Sequence, residues 1–331
     1  MVYIDFMLLF LLYVFSDYFE GYSEEPKNVI NERQILISNQ IYLFSCFFDG
    51  LSPLNSNGGA INAESSNIYR IFISYTTFLR CFVSSGYCGG SMYISIMHDG
   101  VAIERVCGYS CGTGSRTTNG YAQFAAIIAN SGSKSRIVDS SIVECYKTQT
   151  LISYHVITMN NGYSGITGSN ISSNNVYHGC GLTFGKTDCS ILYSTLSHNV
   201  ARDSIILYID GGVYNISKLN LVNNSQLTDR YGIIRQGYLE TSILTTFKEC
   251  VVYYNTNSYL IYRAYGTISF VSCIVDHKSS LATYLNEVTS FSLIPLYHFA
   301  TNMCKADLQN PTKELVHYRK HTFLLVLITL L

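Results

Sequence analysis

The feature that most constrains this chain is a short pattern that recurs along most of its length: an apolar residue, two variable residues, then Cys, Asn or His. It reads Phe78-Leu-Arg-Cys81, Ile142-Val-Glu-Cys145, Ile171-Ser-Ser-Asn174, Leu196-Ser-His-Asn199, Leu221-Val-Asn-Asn224, Phe247-Lys-Glu-Cys250, Ile274-Val-Asp-His277 and Phe299-Ala-Thr-Asn302. From Ile171 onward the apolar anchors follow at intervals of 25, 25, 26, 27 and 25 residues. Ile142 to Ile171 is 29 and Phe78 to Ile142 is 64, room for two longer units. The missing one runs through Cys107-Gly-Tyr-Ser-Cys111, and Leu43-Phe-Ser-Cys46 marks an earlier unit.

Each unit holds short apolar, β-branched and aromatic runs such as Ile205-Ile-Leu-Tyr-Ile and Val251-Val-Tyr-Tyr, bounded by Asn, Gly and Ser. These are strand signals, and no capped amphipathic helix separates them. A unit of this size cannot bury its own apolar face, whereas stacked units can, with strands of successive units pairing in parallel at ~4.8 Å. The expected fold is therefore all-β: a right-handed parallel β-helix of about eight to ten coils, its hand following from the preference of parallel connections. An antiparallel sandwich also alternates short strands and turns, but predicts no anchor at near-constant spacing.

A side chain repeated once per coil lies directly over its equivalents. Asn tolerates the left-handed bend and hydrogen-bonds along its own ladder, and Cys accepts burial. Stacked Cα atoms ~4.8 Å apart fall within disulfide range, so Cys81–Cys111 or Cys111–Cys145 is a geometric option. A column of reduced thiols, their side chains pointing the same way, is the expectation.

Composition fits such a wall. Charged residues are 13 %, about half the usual share, and Tyr numbers 28 while Trp is absent. Like charges on a stacked column would repeat at ~4.8 Å and repel, whereas Asn, Ser, Thr and Tyr fill columns without that cost. A net charge of −1 gives no basis for binding nucleic acid, and Glu, Lys, Arg and Ala are too scarce for a helical bundle.

The ends differ from the middle. Residues 1–20 contain the apolar run Phe6–Phe15, of signal-peptide length but with Asp5 and no Lys or Arg before it; a buried strand or an uncleaved anchor are the alternatives. Residues 21–35 read as a lead or cap, 36–305 as the repeat body and 306–321 as a polar segment. Residues 322–331 are a short apolar tail of half-bilayer length: a truncated membrane span, a lipid-anchor signal or an early end of the chain. Membrane association through a terminal apolar segment is expected. Eleven Cys suit an oxidising compartment and leave one without a partner, and the sequons at Asn170, Asn215 and Asn223 support secretion as candidate glycosylation sites.

The tetrad Gly58-Gly59-Ala60-Ile61, with the looser Gly89-Gly90-Ser91-Met92 and Gly211-Gly212-Val213-Tyr214, combines with Phe299-Ala-Thr-Asn302 and its variants. Over roughly residues 36–305 this resembles the polymorphic outer-membrane protein repeats of bacterial surface proteins and of similar protist proteins. The resemblance implies a pectin-lyase-like right-handed β-helix at a cell surface, associated with adhesion. The bacterial members end in a membrane barrel for which this chain has no room, which favours the protist-type version.

Enzymes on that fold act on acidic polysaccharides through clustered carboxylates. The best cluster here is Asp203 and Asp229, 26 apart, with Arg202 and Arg230 beside them; the same residues read as a solvated edge. Val275-Asp276-His277 is superficially similar to a lyase tripeptide, but His277 falls on the ladder position. The Cys lack C-x-x-C spacing, the eight His are scattered, and Cys107–Gly114 lacks the Lys-Ser/Thr of a phosphate loop. No metal, no cofactor and no catalysis are therefore expected. Tyr253, Tyr254, Tyr259, Tyr262 and Tyr265 cluster in sequence and make a candidate aromatic binding face for carbohydrate or protein. The expectation is a non-enzymatic, secreted or cell-surface adhesion or display protein. A polysaccharide lyase or hydrolase, or a structural coat component, are the alternatives.

Overall fold

A computed structural model of the chain describes residues 18–20, 22, 24–84, 86–96, 98–113, 122–145, 155–176, 182–185, 188–201, 205–228, 232–237, 243–257 and 259–288. The described residues form short strands and no helical element. A single repeat shows the plan: Ile61–Glu64 enters sheet I, Arg70–Ser74 sheet II and Thr77–Leu79 sheet III. The next repeat places Met92–Ser95, Gly100–Glu104 and Cys107–Tyr109 beside them in the same order. Sheet I has nine strands, from Gln34–Ile35 to Ile261–Ala264. Sheet II has ten, from Gln40–Phe44 to Thr283–Leu285, and sheet III nine, from Phe47–Asp49 to Ile274–Val275. The strand pairs within them are parallel and follow repeat order, as expected.

Period-two alternation decides which residues face the core. In sheet II the inward column runs Leu43, Ile73, Ile103, Ile137, Ile166, Ile191, Ile216, Phe247 and Phe270, paired residue to residue and buried throughout. Each such side chain contributes about 1.5–3 kcal/mol on burial, and a slip by one residue would turn the column outward, so the register is strongly specified. Sheets I and III add their own inward columns to the same hydrophobic cluster. In sheet III, Gly108 stands where neighbouring repeats have Phe78 and Ile142. A Cβ there would lie 2.3 Å from the ring of Phe124, which fills the space and meets Phe78 edge-on at 5.8 Å. The anchor missing from the Cys107–Cys111 repeat is thus supplied by a phenylalanine from sheet I's approach.

The repeated Cys/Asn position is two columns, which corrects the single-column reading. At the corner between sheets II and III, a residue in the left-handed conformation (Ser45, Tyr75, Arg105, Asp139, Tyr193, Lys218, Glu249, Ser272; φ 46 to 53°) precedes the position held by Cys46, Thr76, Val106, Ser140, Ser194, Leu219, Cys250 and Cys273. At the corner after sheet III, Arg80, Ser110, Glu144, Ser173, His198, Asn223 and Tyr254 do the same before Cys81, Cys111, Cys145, Asn174, Asn199, Asn224 and Asn255. Both corners obey one local rule: inward apolar residue, outward residue, left-handed bend, small buried residue. Leu43-x-x-Cys46 and Phe247-x-x-Cys250 therefore belong to the first corner and the other described anchors with a buried Cys or Asn to the second. The spacing along the second column is 29, 25, 25 and 31 from Cys145 to Asn255, less even than the apparent period. His277 is exposed and outside either column; its neighbour Asp276 accepts the backbone N–H groups of Tyr254 (2.5 Å) and His277 (2.8 Å).

The second column is a hydrogen-bond ladder. The Oδ1 of Asn199 accepts from the backbone N (3.1 Å) and Nδ2 (3.0 Å) of Asn174, while its own Nδ2 donates to the carbonyl of Ile171 at 2.9 Å. Asn224 repeats this on Asn199 and Leu196, and Asn255 on Asn224 and Leu221. Where Cys replaces Asn, the thiol makes the corresponding contact: Cys111 Sγ donates to the Phe78 carbonyl at 3.5 Å and Cys81 Sγ to that of Phe48 at 3.7 Å. Cys46, Cys81, Cys111, Cys145, Cys250 and Cys273 are free thiols, as expected of the column; Cys107, outside it, is disulfide-bonded, its partner lying outside the described residues. Replacing Asn199 by alanine strands two donors and a carbonyl in a buried site. Each such loss costs about 1–3 kcal/mol, less what relaxation recovers, so Asn199→Ala should lose about 2–3 kcal/mol by guanidinium unfolding. A loss under ~0.5 kcal/mol would show that the ladder is ornamental.

The Gly-Gly motifs acquire a backbone reason. Gly58 and Gly89 sit at φ +65° and +69° where the chain turns into sheet I, and a Cβ on either would fall 1.8 or 2.0 Å from a carbonyl oxygen. Gly59 and Gly90 leave room for the neighbouring repeat's backbone instead. Gly211-Gly212-Val213-Tyr214 is not equivalent: it turns the chain from sheet I into sheet II, with both glycines at positive φ.

Candidate functional site

The outward residues of the three sheets are where function has to be sought, because the inward ones are packed. Of the sequence candidates, Asp203, Asp229, Arg202 and Arg230 lie outside the described residues, as do both apolar ends, residues 1–17 and 322–331. Among the described residues no group of His, Cys, Asp and Glu converges to hold a metal ion, and no helix is long and apolar enough to cross a membrane.

The five tyrosines are divided between two sheets. Tyr253 ends the sheet III strand Val251–Tyr253 and meets the ring of Tyr254, in the left-handed bend, edge-on at 4.4 Å. Tyr262 is within the sheet I strand Ile261–Ala264, with Tyr259 just before it and Tyr265 just after. Tyr254, Tyr259 and Tyr265 are exposed, while Tyr253 and Tyr262 are half-buried. The structure brings Tyr253 and Tyr254 into contact and sets the other three on a different wall, so closeness in sequence is not one platform.

Some charges at the corners stand over opposite charges of a neighbouring repeat. Arg80 makes a two-pronged contact with Asp49, Arg105 approaches Asp139 at 3.9 Å, and Lys218 lies 3.7 Å from Glu249 and 5.0 Å from the Tyr193 ring centroid. Such exposed pairs contribute little to stability, but they avoid stacking like charges at ~4.8 Å.

The sequons separate by exposure. Asn215 is exposed on the outer face of sheet II and Asn223 on a bend, whereas Asn170 is only 8 % exposed, on the outer side of sheet III. An oligosaccharyl chain needs a free amide. Produced through a secretory pathway, the protein should carry glycan at Asn215 and Asn223 and none at Asn170. Glycopeptide mass spectrometry checks this, and full occupancy of Asn170 would contradict the placement of that strand.

The sequence reading missed one region altogether, the outer face of sheet II in the first repeats. There Tyr42 and Phe72, outward by alternation, stack at 4.8 Å, and the ring of Tyr18 packs on Phe72 at 5.2 Å. Phe19 is buried with Tyr42, Phe72 and Ala102 in a small external cluster. Tyr18 and Phe19 thus lie against the sheet. Burial pushes the Tyr18 and Tyr42 hydroxyls up to about 12, so both stay neutral. Beside this contact a groove of about 460 Å³ opens, walled by Tyr18, Phe19, Glu20 and Tyr22 and by sheet II. Arg70 there pairs with Asp99 and stacks its guanidinium 3.2 Å from the Tyr22 ring centroid. Lys134 and Arg136, alternate outward residues of the strand Lys134–Val138, are exposed along the same groove. The available signal was two aromatic residues at outward strand positions, Tyr42 and Phe72, which an uncovered polar wall would not carry. Compared with known proteins, the chain matches no family model, no curated protein and no solved structure.

Proposed function

We propose that the described sheets are the walls of a right-handed parallel β-helix, and that the protein works without catalysis as a secreted or cell-surface adhesion or display protein. The observation that carries the architecture is the strand order: each repeat visits sheets I, II and III in turn and pairs with its neighbours in parallel. Three long parallel sheets sharing one hydrophobic cluster are the walls such a coil requires. At ~4.8 Å per strand, ten strands extend about 45 Å, a lateral surface well suited to contact a partner. Its right hand follows the preference of parallel connections.

The functional reading draws on composition and on the resemblance to the polymorphic outer-membrane protein repeats. Long exterior columns of Ser, Asn, Thr and Tyr, with paired charges at the bends, offer hydrogen bonding and ring faces over a large area. The partner class is carbohydrate or protein at the cell surface, with membrane association through a terminal apolar segment. Protease treatment of intact cells should release fragments from residues 36–305. Complete protection in intact cells with digestion after lysis would place the protein inside and overturn the reading. Incubation with acidic polysaccharides should yield no new reducing ends or unsaturated products. Sustained turnover abolished by Asp203→Ala or Asp229→Ala would make it an enzyme instead.

A further inference from the structure

We propose that the groove between Tyr18, Phe19, Glu20 and Tyr22 on one side and sheet II on the other binds a sugar acid, a saccharide carrying one carboxylate, which seats between Lys134 and Arg136. The inference names a ligand class for part of the outer wall and so rests on the reading of that wall as a contact surface. Four observations carry it. The cavity, about 460 Å³, lies in the size range of small-ligand sites. Its cations, Arg70, Lys134 and Arg136, outnumber its carboxylates, Glu20 and Asp99, by one, so a monoanion is neutralised while a dianion is not. Arg70 is already engaged by Asp99 and Tyr22, whereas Lys134 and Arg136 make no ion pair among the described residues. Two residues apart on one strand, these residues project from the same face with Cα atoms about 7 Å apart, a spacing across which two long cationic side chains can converge on one carboxylate.

The rest of the lining fits the body of a sugar. Tyr18 and Tyr22 line the cavity beside the charged groups, and rings of this kind present apolar faces to the C–H surface of a pyranose. The Arg70–Asp99 pair places a donor and an acceptor at the same site, the combination that hydroxyl groups need. The aromatic stack of Tyr18 on Phe72 holds one side of the groove in place.

Calorimetric titration of the full chain at low salt with D-glucuronate, D-glucose and inorganic sulfate tests the proposal. Glucuronate should bind, and binding should weaken as salt rises. The double variant Lys134→Ala/Arg136→Ala should weaken it at least ten-fold with an unchanged melting curve, since both side chains are exposed. Tyr22→Ala should weaken it several-fold with the cations intact. Equal binding of glucose would remove the charge recognition, and sulfate binding as tightly as glucuronate would remove the sugar recognition. Glucuronate binding that survives the double variant would place the ligand elsewhere. A surface-exposed protein that ignores glucuronate refutes the groove alone. A protein protected inside cells that binds glucuronate through Lys134 and Arg136 refutes the surface reading alone.

Discussion

Gly90→Ala is expected to cost upwards of about 3 kcal/mol, more than an ordinary core substitution, and to reduce soluble yield. The added Cβ would sit 1.9 Å from the carbonyl oxygen of Gln123 and 2.5 Å from that of Gly112. Both obstacles are backbone, Gly112 closing the same turn of chain and Gln123 opening the next, so relief requires neighbouring turns to part and their ladder bonds to lengthen. Gly50→Ala is the matched control. Gly50 has a positive φ, +66°, which Gly90 lacks, and nothing lies within 4 Å of its Cβ position, so Gly50→Ala carries only the left-handed strain of about 1 kcal/mol and Gly90→Ala only the close approach. Chemical unfolding of both variants separates the two terms. Equal losses would mean that the close approach of repeats at Gly90 is absent.

The second large effect is alkaline. Burial pushes the Cys145, Cys189 and Cys250 thiols well above their usual range, and the hydrogen bond with Cys111 followed by burial does the same for Cys81. These folded-state values lie above the unfolded value of about 8.5, so the folded chain holds protons that the unfolded chain releases. The stabilisation is therefore complete below about pH 8.5 and is lost as pH rises beyond it. Each of these thiols loses about 1.4 kcal/mol over the first pH unit. At Cys111 burial is outweighed by hydrogen bonds with Cys145 and Cys81, and at Cys273 the hydrogen bond with Cys250 outweighs burial; both thiols are held below the usual range and offset part of the loss, leaving roughly 3 kcal/mol at pH 9.5. Guanidinium midpoints at pH 7.5 and 9.5 should differ accordingly. A midpoint constant across that interval would show that these thiols are solvated or oxidised.

Much of this architecture was legible because β alternation and a stacked repeat both leave periodic traces. The inward residues Ile166, Ile191 and Ile216, and the ladder residues Asn174, Asn199 and Asn224, recur at 25 in sequence because each repeat there has the same length. What the pattern obscured was that two corners share one rule. Phe247-Lys-Glu-Cys250 and Leu221-Val-Asn-Asn224 look alike, yet one bends after sheet II and the other after sheet III. Only pairing partners separate them. Gly-Gly was visible as a motif, but its cause, backbone of one repeat against backbone of the next, is a contact across the stack with no local signature.

The exterior was less legible, for the same physical reason. An outward residue is selected by what covers it, and the cover is distant in sequence. Tyr42 and Phe72 are outward yet buried because Tyr18 and Phe19 pack over them. The five tyrosines at 253–265 are near in sequence yet divided between two walls, because one connection lies between them. Lys134 and Arg136 were unremarkable as a strand alternation and acquire meaning only beside Arg70 and Asp99.

The central claim, that these sheets are stacked repeats of one coil, predicts distances linear in repeat number. The outer column of sheet II pairs Arg136, Gly165, Ser190, Asn215, Thr246 and Ser269 in succession. Nitroxides attached through unnatural side chains at Arg136 together with Asn215, Thr246 or Ser269 can be read by double electron–electron resonance. Backbone separations of about 14, 19 and 24 Å are predicted, rising by ~4.8 Å per repeat. Distances that fail to increase along this series would contradict a parallel stack and with it the account of the walls.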